Sequence, residues 1–216
     1  MKIEIWSDYV CPFCYIGKRR LEEAMQETGL GRQAEVVFKS YQLDPHAPES
    51  ADESVVAGLA QKYGISIQEA QQMLDNVAEQ AKTVGLQFDT EAMKPANTFQ
   101  AHRLAKLAER EGVAAEVVER LLKGHFILGE VLGQQDVLLS IAEEAGMDRA
   151  RAEEMLASDE FSEEVRSDIE EAGQLGVRGV PFFVINRKYA ISGAQPSQVF
   201  ADALRKAAQE ESSTGE

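Results

Sequence analysis

The chain has 216 residues, two cysteines and a formal net charge of −15 from 22 basic and 37 acidic side chains. That length can bury one substantial core, or one core with a large insertion, without disulfide staples. The acidic balance argues against a nucleic-acid or anionic-membrane surface as partner. No stretch approaches ~18 consecutive apolar residues, and Met1-Lys2-Ile3-Glu4 lacks the basic-then-apolar shape of a signal peptide, so the expectation is a soluble, cytoplasmic protein. Residues 2–7, with Ile3, Ile5 and Trp6, read as a strand. Residues 14–28 read as an amphipathic helix ending near Gly29, and residues 35–42 as a second strand, which together make a βαβ unit.

Between the first strand and the helix lies Cys11-Pro12-Phe13-Cys14. A thiol at the first turn of a helix meets unpaired backbone N–H groups and the positive end of the macrodipole, and both favour thiolate over thiol. Cys11 is therefore the expected nucleophile. Pro12 gives up an N–H that would have no partner there, and Cys14 falls one turn deeper, where it can resolve a mixed disulfide. A single C-x-x-C also serves as half a zinc site or as an incidental buried pair. Zinc needs about four ligands, whereas these are the only cysteines and His46, His102 and His125 are scattered, so no metal is expected. In a compartment that keeps thiols reduced, the motif reads as redox-active rather than structural.

Asp44-Pro45-His46-Ala47-Pro48 blocks continuation of strand or helix and opens a long helical segment. Ser66 with Glu69 forms a capping-box pattern before a helix with Met73, Val77, Ala81 and Val84 on one stripe, closed by Gly85. Asn97 could cap the next helix, with Leu104, Leu107 and Ala108 inward and Gly112 beyond its end. Val117, Val118, Leu121 and Leu122 line a third. Val137, Leu138 and Ile141 line a fourth stopped by Gly146, and Phe161, Val165, Ile169 and Ala172 line the last, ended by Gly176. Residues 51–175 hold 11 basic against 25 acidic side chains, most simply the solvated faces of these helices.

Beyond it, Pro181 opens a strand at 182–186, the position a proline can take without breaking a ladder. A turn at Asn186-Arg187-Lys188, a strand at 189–192 and a helix from about Pro196 to Gln209 follow. A cis Val180–Pro181 bond would expose the Val180 backbone to an extended peptide or thiol ligand; taken alone, the residues favour an ordinary trans proline on base rates. The order is βαβ followed by ββα, the two pieces of a thioredoxin fold. The stretch between is too long for a crossover and must be an inserted domain. The expected division is 1–45 and 176–210 for the α/β thioredoxin part, 46–175 for the all-helical insertion, and 211–216 for a polar, frayed tail.

Three segments carry a family resemblance: Ser7-Asp8-Tyr9-Val10-Cys11-Pro12-Phe13-Cys14-Tyr15-Ile16-Gly17, Asn97-Thr98-Phe99-Gln100-Ala101-His102-Arg103, and Gly176-Val177-Arg178-Gly179-Val180-Pro181-Phe182-Phe183. The chain resembles the DsbA-like thioredoxin family, specifically its FrnE-type dithiol–disulfide isomerase branch, over nearly its whole length. The resemblance implies that Cys11 attacks, Cys14 resolves and Pro181 is a cis-proline opposite them. Pro-Phe stands between the cysteines where the periplasmic oxidant has Pro-His, so that protein's extreme potential does not carry over. Kappa-class glutathione transferases and 2-hydroxychromene-2-carboxylate isomerases share the superfamily but have Ser at the position of Cys11.

Asn97 to Arg103 could face Cys11 across a cleft. The resemblance makes Asn97 and His102 candidate contacts for a bound thiol or peptide, with a helix cap and a partly exposed histidine as the plainer roles. His125 reads as packed, and His46 lies in an exposed linker. Lys18, Arg19 and Arg20 could act on Cys11 or simply form the wet face of their helix, and Asp8 could cap that helix or oppose the thiolate by like charge. Trp6, Tyr9, Phe13 and Tyr15 offer an apolar rim, at least two of them being core. Phe13 and Val180 complete the candidate substrate contacts.

Two enzymes and a binding module fit these features: a thiol–disulfide oxidoreductase or isomerase, a glutathione-dependent isomerase or transferase, and a docking module with the acidic helical domain as its surface and the C-x-x-C as a metal or redox-sensing clip, the metal version disfavoured by the lack of further ligands. Cys14 favours the first. Its partner is a thiol or disulfide, on a protein or a small molecule, and the chain is a monomer or a homodimer. A redox-active Cys11–Cys14 disulfide replaces any cofactor, with glutathione the one candidate ligand.

Overall fold

β1 (Lys2–Ser7) is buried along all but its first residue, which its central place in the sheet explains. It pairs in parallel with β2 (Glu35–Ser40) on one side and antiparallel with β3 (Phe182–Ile185) on the other, and β3 pairs antiparallel with β4 (Tyr189–Ser192). The computed structural model describes residues 1–49 and 54–214. Between β1 and β2 runs α1 (Pro12–Thr28), and after β4 comes α9 (Ser197–Thr214). The chain from β2 to β3 holds α2 (Val55–Tyr63), α3 (Ile67–Lys82), α4 (Phe99–Glu111), α5 (Ala114–Phe126), α6 (Gln135–Glu144), α7 (Arg149–Leu156) and α8 (Ser162–Gln174). This is a thioredoxin fold with a helical insertion.

Alternation along β1 divides the sheet's two faces. Ile3 and Ile5 join Phe183 and Ile185 in a core with Leu21 and Ala24 of α1 and Phe200 and Leu204 of α9. Trp6 faces the other way, with Val184 and with Ala172 of α8. Glu4 shares that second face and is buried, so it needs a cation. Arg187 supplies it from the three-residue β3–β4 turn (Asn186 to Lys188), where Asn186 and Arg187 both have left-handed φ.

Gly17 lets α1 lie against the start of β3, because a Cβ there would meet Pro181 at 3.0 Å and Phe183 at 3.1 Å. The largest apolar cluster does not respect the expected boundary at residue 45. Tyr9, Tyr15 and Ile16 belong to the same core as Leu104, Leu121, Phe126 and Ile141 of the insertion.

Several sequence expectations need correction. α1 begins at Pro12, two residues early, since proline suits a first helical turn. β2 stops at Ser40 rather than 42. α2 and α7 were not anticipated. α2 covers Ala70 and Leu74 of α3, so that helix buries a second stripe while Met73 stays 43% exposed. The Ser66–Glu69 capping box is present. α9 continues to Thr214, taking in most of the expected tail, and Ser212 and Ser213 bond back to the Ala208 and Gln209 carbonyls. Gly215 and Glu216 lie outside the described residues.

The insertion is joined to the sheet by buried charge. Asp168 of α8 accepts from Lys39 of β2 at 2.7 Å, from the Ser40 N–H at 3.0 Å, and pairs with Lys106 of α4 at 2.6 Å. Its backbone carbonyl takes the Trp6 indole N–H at 2.9 Å. Burial alone would raise the Asp168 carboxyl; the two lysines and the N–H outweigh it and hold it below its ordinary value. Asp168→Ala is expected to destabilise the fold by about 3 kcal/mol, by removing the buried carboxylate that Lys39 and Lys106 share and leaving them only Glu171 and Glu109. A depressed carboxylate stabilises above its unfolded-state value and loses that contribution as pH falls through its folded one. Urea melts should therefore show the gap between wild type and variant in full at neutral pH and closing only in strong acid. A gap that stayed constant through that range would contradict the assignment.

Candidate active site

Cys11 is the N-cap of α1, in extended conformation, with Pro12 as the first helical residue and no side chain capping the helix end. The Cys14 N–H closes the turn on the Cys11 carbonyl at 3.0 Å, and the Cys11 N–H donates to the Asp8 carbonyl at 3.2 Å. The uncapped N–H groups of the helix give this end a positive potential. Both cysteines are unbridged and almost fully buried.

Opposite the turn, the Val180–Pro181 bond is cis, as the family resemblance implied. The Cys11 Sγ lies 3.4 Å from the Val180 carbonyl oxygen. Gly17 admits the Pro181 ring to the surface of α1, and the Pro181 carbonyl accepts from the Gly193 N–H at 2.8 Å, which ties it to the end of β4. The dithiol and the cis-proline, distant in sequence by 170 residues, therefore form one surface.

The two sulfurs sit in different settings. Burial first, then the hydrogen bond and negative charge of Cys11, push the Cys14 thiol well above its ordinary range; the Ser7 hydroxyl and the Asp8 N–H work against them. Cys14 is thus suited to wait as a thiol until a mixed disulfide forms on Cys11.

Asp8 neither caps α1 nor reaches solvent. One carboxylate oxygen accepts from the Tyr9 N–H at 2.8 Å and faces His102 Nε2 at 3.3 Å; the other accepts from the Leu43 N–H at 2.8 Å. His102, only 2% exposed, lies with its ring 4.6 Å from that of Tyr9. It supports the dithiol turn from beneath and has no surface for a ligand, contrary to both roles read from the sequence. Burial, then Asp8, push the Tyr9 hydroxyl upward.

The other polar candidates are engaged within the chain. Asn97 accepts from the Phe99 N–H at 3.0 Å and donates to the Pro45 and Ala47 carbonyls, so it joins the linker to α4. Thr98, not Asn97, is the N-cap residue. Arg103 binds the carbonyls of Met155, Ser158 and Glu160 at the end of α7. Lys18 is buried against Glu22 and Glu119, Arg19 pairs with the same two carboxylates, and Arg20 donates to the Ala194 carbonyl. None of the three is directed at Cys11 by these contacts, and Lys18 is not on a wet face.

Phe13 is the exposed aromatic of the motif, at 37%, while Trp6, Tyr9 and Tyr15 are core. Val180 is half-buried. His125 is packed edge-on to Phe126 with Nδ1 unpartnered, and burial pushes its pKa down to about 4 despite the nearby Asp8 charge. His46 is exposed. Among the described residues, no group of three or more His, Cys, Asp or Glu side chains could hold a metal ion, and no helix is long and apolar enough to cross a membrane. Ser7 and Glu119 were missed; the only signal for Ser7 was a polar residue ending a buried strand next to the dithiol.

Comparison with known proteins agrees with this geometry. A probable DsbA oxidoreductase from Streptomyces coelicolor is 39% identical, with 97% of this chain and 91% of that one covered and a TM-score of 0.91. An uncharacterised Bacillus subtilis protein, YwbO, is 27% identical over 94% of both chains. Two more distant structures share the fold. A 2-hydroxychromene-2-carboxylate isomerase is 16% identical over 99% of each chain, with a TM-score of 0.70. The cytosolic disulfide reductase DsbM of Pseudomonas aeruginosa is 16% identical over 97% of this chain and 99% of its own, with a TM-score of 0.67. The DSBA-like thioredoxin domain matches residues 2–205, from the first strand into the last helix, and the chain belongs to that family.

Proposed function

We propose that this protein is a thiol–disulfide oxidoreductase or isomerase of the FrnE type, acting in the cytoplasm on a disulfide of a protein or small molecule. The observation that carries the reading is the placement of Cys11 Sγ at the uncapped start of α1, 3.4 Å from the Val180 carbonyl, with Cys14 one turn deeper. An extended substrate laid along Val180 would bring its disulfide to Cys11. The Cys11 thiolate attacks one substrate sulfur, the substrate S–S bond breaks, and its other sulfur leaves as a thiol. Cys14 then displaces the first sulfur and closes the Cys11–Cys14 disulfide. Phe13 gives the rim an apolar surface suited to unfolded peptide.

Cys11→Ser should abolish disulfide reduction and exchange, whereas Cys14→Ser should accumulate mixed disulfides with substrate thiols, measured by insulin reduction and by mass spectrometry of acid-quenched protein. Full activity in Cys11→Ser would end the assignment.

A glutathione-dependent isomerase or transferase is the competing reading. A dedicated site for that tripeptide needs convergent polar groups for two carboxylates and an amine. Asn97, Arg103, Lys18, Arg19 and Arg20 are already bonded within the chain, and His102 is buried against Asp8. Residues 51–175 also carry 25 acidic against 11 basic side chains, which repels a dianion. Calorimetry on Cys11→Ser, where no covalent adduct can form at that sulfur, is expected to show no saturable sub-millimolar glutathione binding. Tight binding there would reverse the order of the two readings.

A further inference from the structure

Asp8 touches both cysteines through its backbone. Its N–H points at Cys14 Sγ from 3.5 Å, and its carbonyl accepts the Cys11 N–H at 3.2 Å. The resolving sulfur is 3% exposed, so almost no water can replace that donor if the Asp8 backbone shifts. A buried thiol must become a thiolate before it attacks, and a hydrogen bond to a charged acceptor is of the stronger kind.

Three donors hold the Asp8 side chain, and they are unequal as anchors. The Tyr9 N–H belongs to the next residue of the same loop and moves with it. The Leu43 N–H comes from residues 41–48, which form neither helix nor strand and leave Leu43 itself 42% exposed. His102 comes from the interior of α4, with its own N–H on the Thr98 carbonyl at 2.9 Å and its neighbours Ala101, Arg103 and Leu104 buried. Its Nε2 faces the carboxylate at 3.3 Å. A carboxylate only accepts, so Nε2 carries the shared proton whether the ring is neutral or charged. The Tyr9 ring packs on the imidazole from the other end of the same loop, at 4.6 Å.

We infer that His102 is a positioning residue for the resolving step: it ties the Asp8 loop to α4, so that the Asp8 N–H meets Cys14 Sγ as that sulfur attacks. The inference rests on the thiol–disulfide exchange reading above. In the mixed disulfide, Cys11 Sγ is bonded to a substrate sulfur. Cys14 gives up its proton and its thiolate attacks Cys11 Sγ. The Cys11–Cys14 bond forms, the bond from Cys11 to the substrate breaks, and the substrate sulfur leaves with the electron pair and takes up a proton to replace the one lost. Over the two steps both cysteines are oxidised and the substrate disulfide is reduced by two electrons.

Attack by Cys11 does not need this tie. Its sulfur sits at the uncapped start of α1 and beside the Val180 carbonyl, and neither feature passes through His102. The two steps of the reaction should therefore respond differently to a change at residue 102.

The test is stopped-flow reaction of the reduced full chain with 5,5′-dithiobis(2-nitrobenzoate), which releases one thionitrobenzoate on attack by Cys11 and a second when Cys14 resolves the adduct. His102→Met and His102→Gln introduce side chains of similar length, of which only the amide can donate to Asp8. His102→Met should leave the first, bimolecular rate within about twofold and slow the second, unimolecular one roughly tenfold, about what one hydrogen bond to a charged acceptor contributes. His102→Gln should recover most of the second rate. Should His102→Met not fold, Asp8→Asn takes its place with the same expected pattern, because it keeps the side-chain shape but sets an NH2 group against one of the three donors. A second release at the wild-type rate in the donor-less variant would overturn the proposal. So would equal slowing of both releases with no recovery in His102→Gln, the mark of a merely structural role. If instead the wild type gave no Cys11-dependent first release, it is the exchange reading itself that fails.

Discussion

A carboxylate sealed from water must be met by donors on every side, and Asp8 meets them from three separate parts of the chain. The Tyr9 N–H comes from the loop before α1, the Leu43 N–H from the linker that opens the insertion, and His102 from α4. Leaving any of these donors out would cost the desolvation of a charged group. The demand of one buried charge therefore fixes where the dithiol turn sits relative to the linker and to the helical segment. The cis Val180–Pro181 segment closes the opposite side of the same turn.

The insertion is accordingly part of the site's support. Glu119 of α5 receives Lys18, Arg19 and the Tyr15 hydroxyl, all from α1, and these cations draw its carboxyl below its ordinary value although burial alone would raise it. Asp168 does the same between α8, α4 and β2. Tyr9, Tyr15 and Ile16 pack into the insertion's own apolar core. The helical segment thus packs directly against the loop before α1 and its first turns.

How far the sequence was legible follows from what each feature depends on. The strands, α1 and the dithiol turn were readable because local signals agree: alternation in Ile3, Ile5 and Trp6, proline at a helix start, proline at a strand start; that Pro181 is cis came from the family resemblance, since a strand-opening proline is ordinarily trans. α7 was not, since Arg149–Leu156 buries only Ala152 and Met155 and shows no stripe. α2 has a readable N-cap in Ser54, whose side chain accepts from the Ala57 N–H, but its interior Gly58 weakens the helical signal. Polar residues were hardest. Lys18, Arg103 and Asp168 look like surface residues in isolation, and what buries each is a partner remote in sequence. His102 was picked out by its neighbours, yet its role depends on Asp8, 94 residues away.

The central claim is that Cys11 and Cys14 form one reversible couple. Titration against defined ratios of reduced to oxidised glutathione, followed by Trp6 fluorescence and by mass spectrometry of alkylated samples, tests it most directly. Trp6 is the chain's one tryptophan and lies on the strand that leads to the dithiol. The account predicts a single two-electron transition between dithiol and intramolecular disulfide, with a slope of about 30 mV per tenfold change in ratio. Persistence of the dithiol across the whole range, or a stable glutathione adduct with no Cys11–Cys14 disulfide, would contradict it.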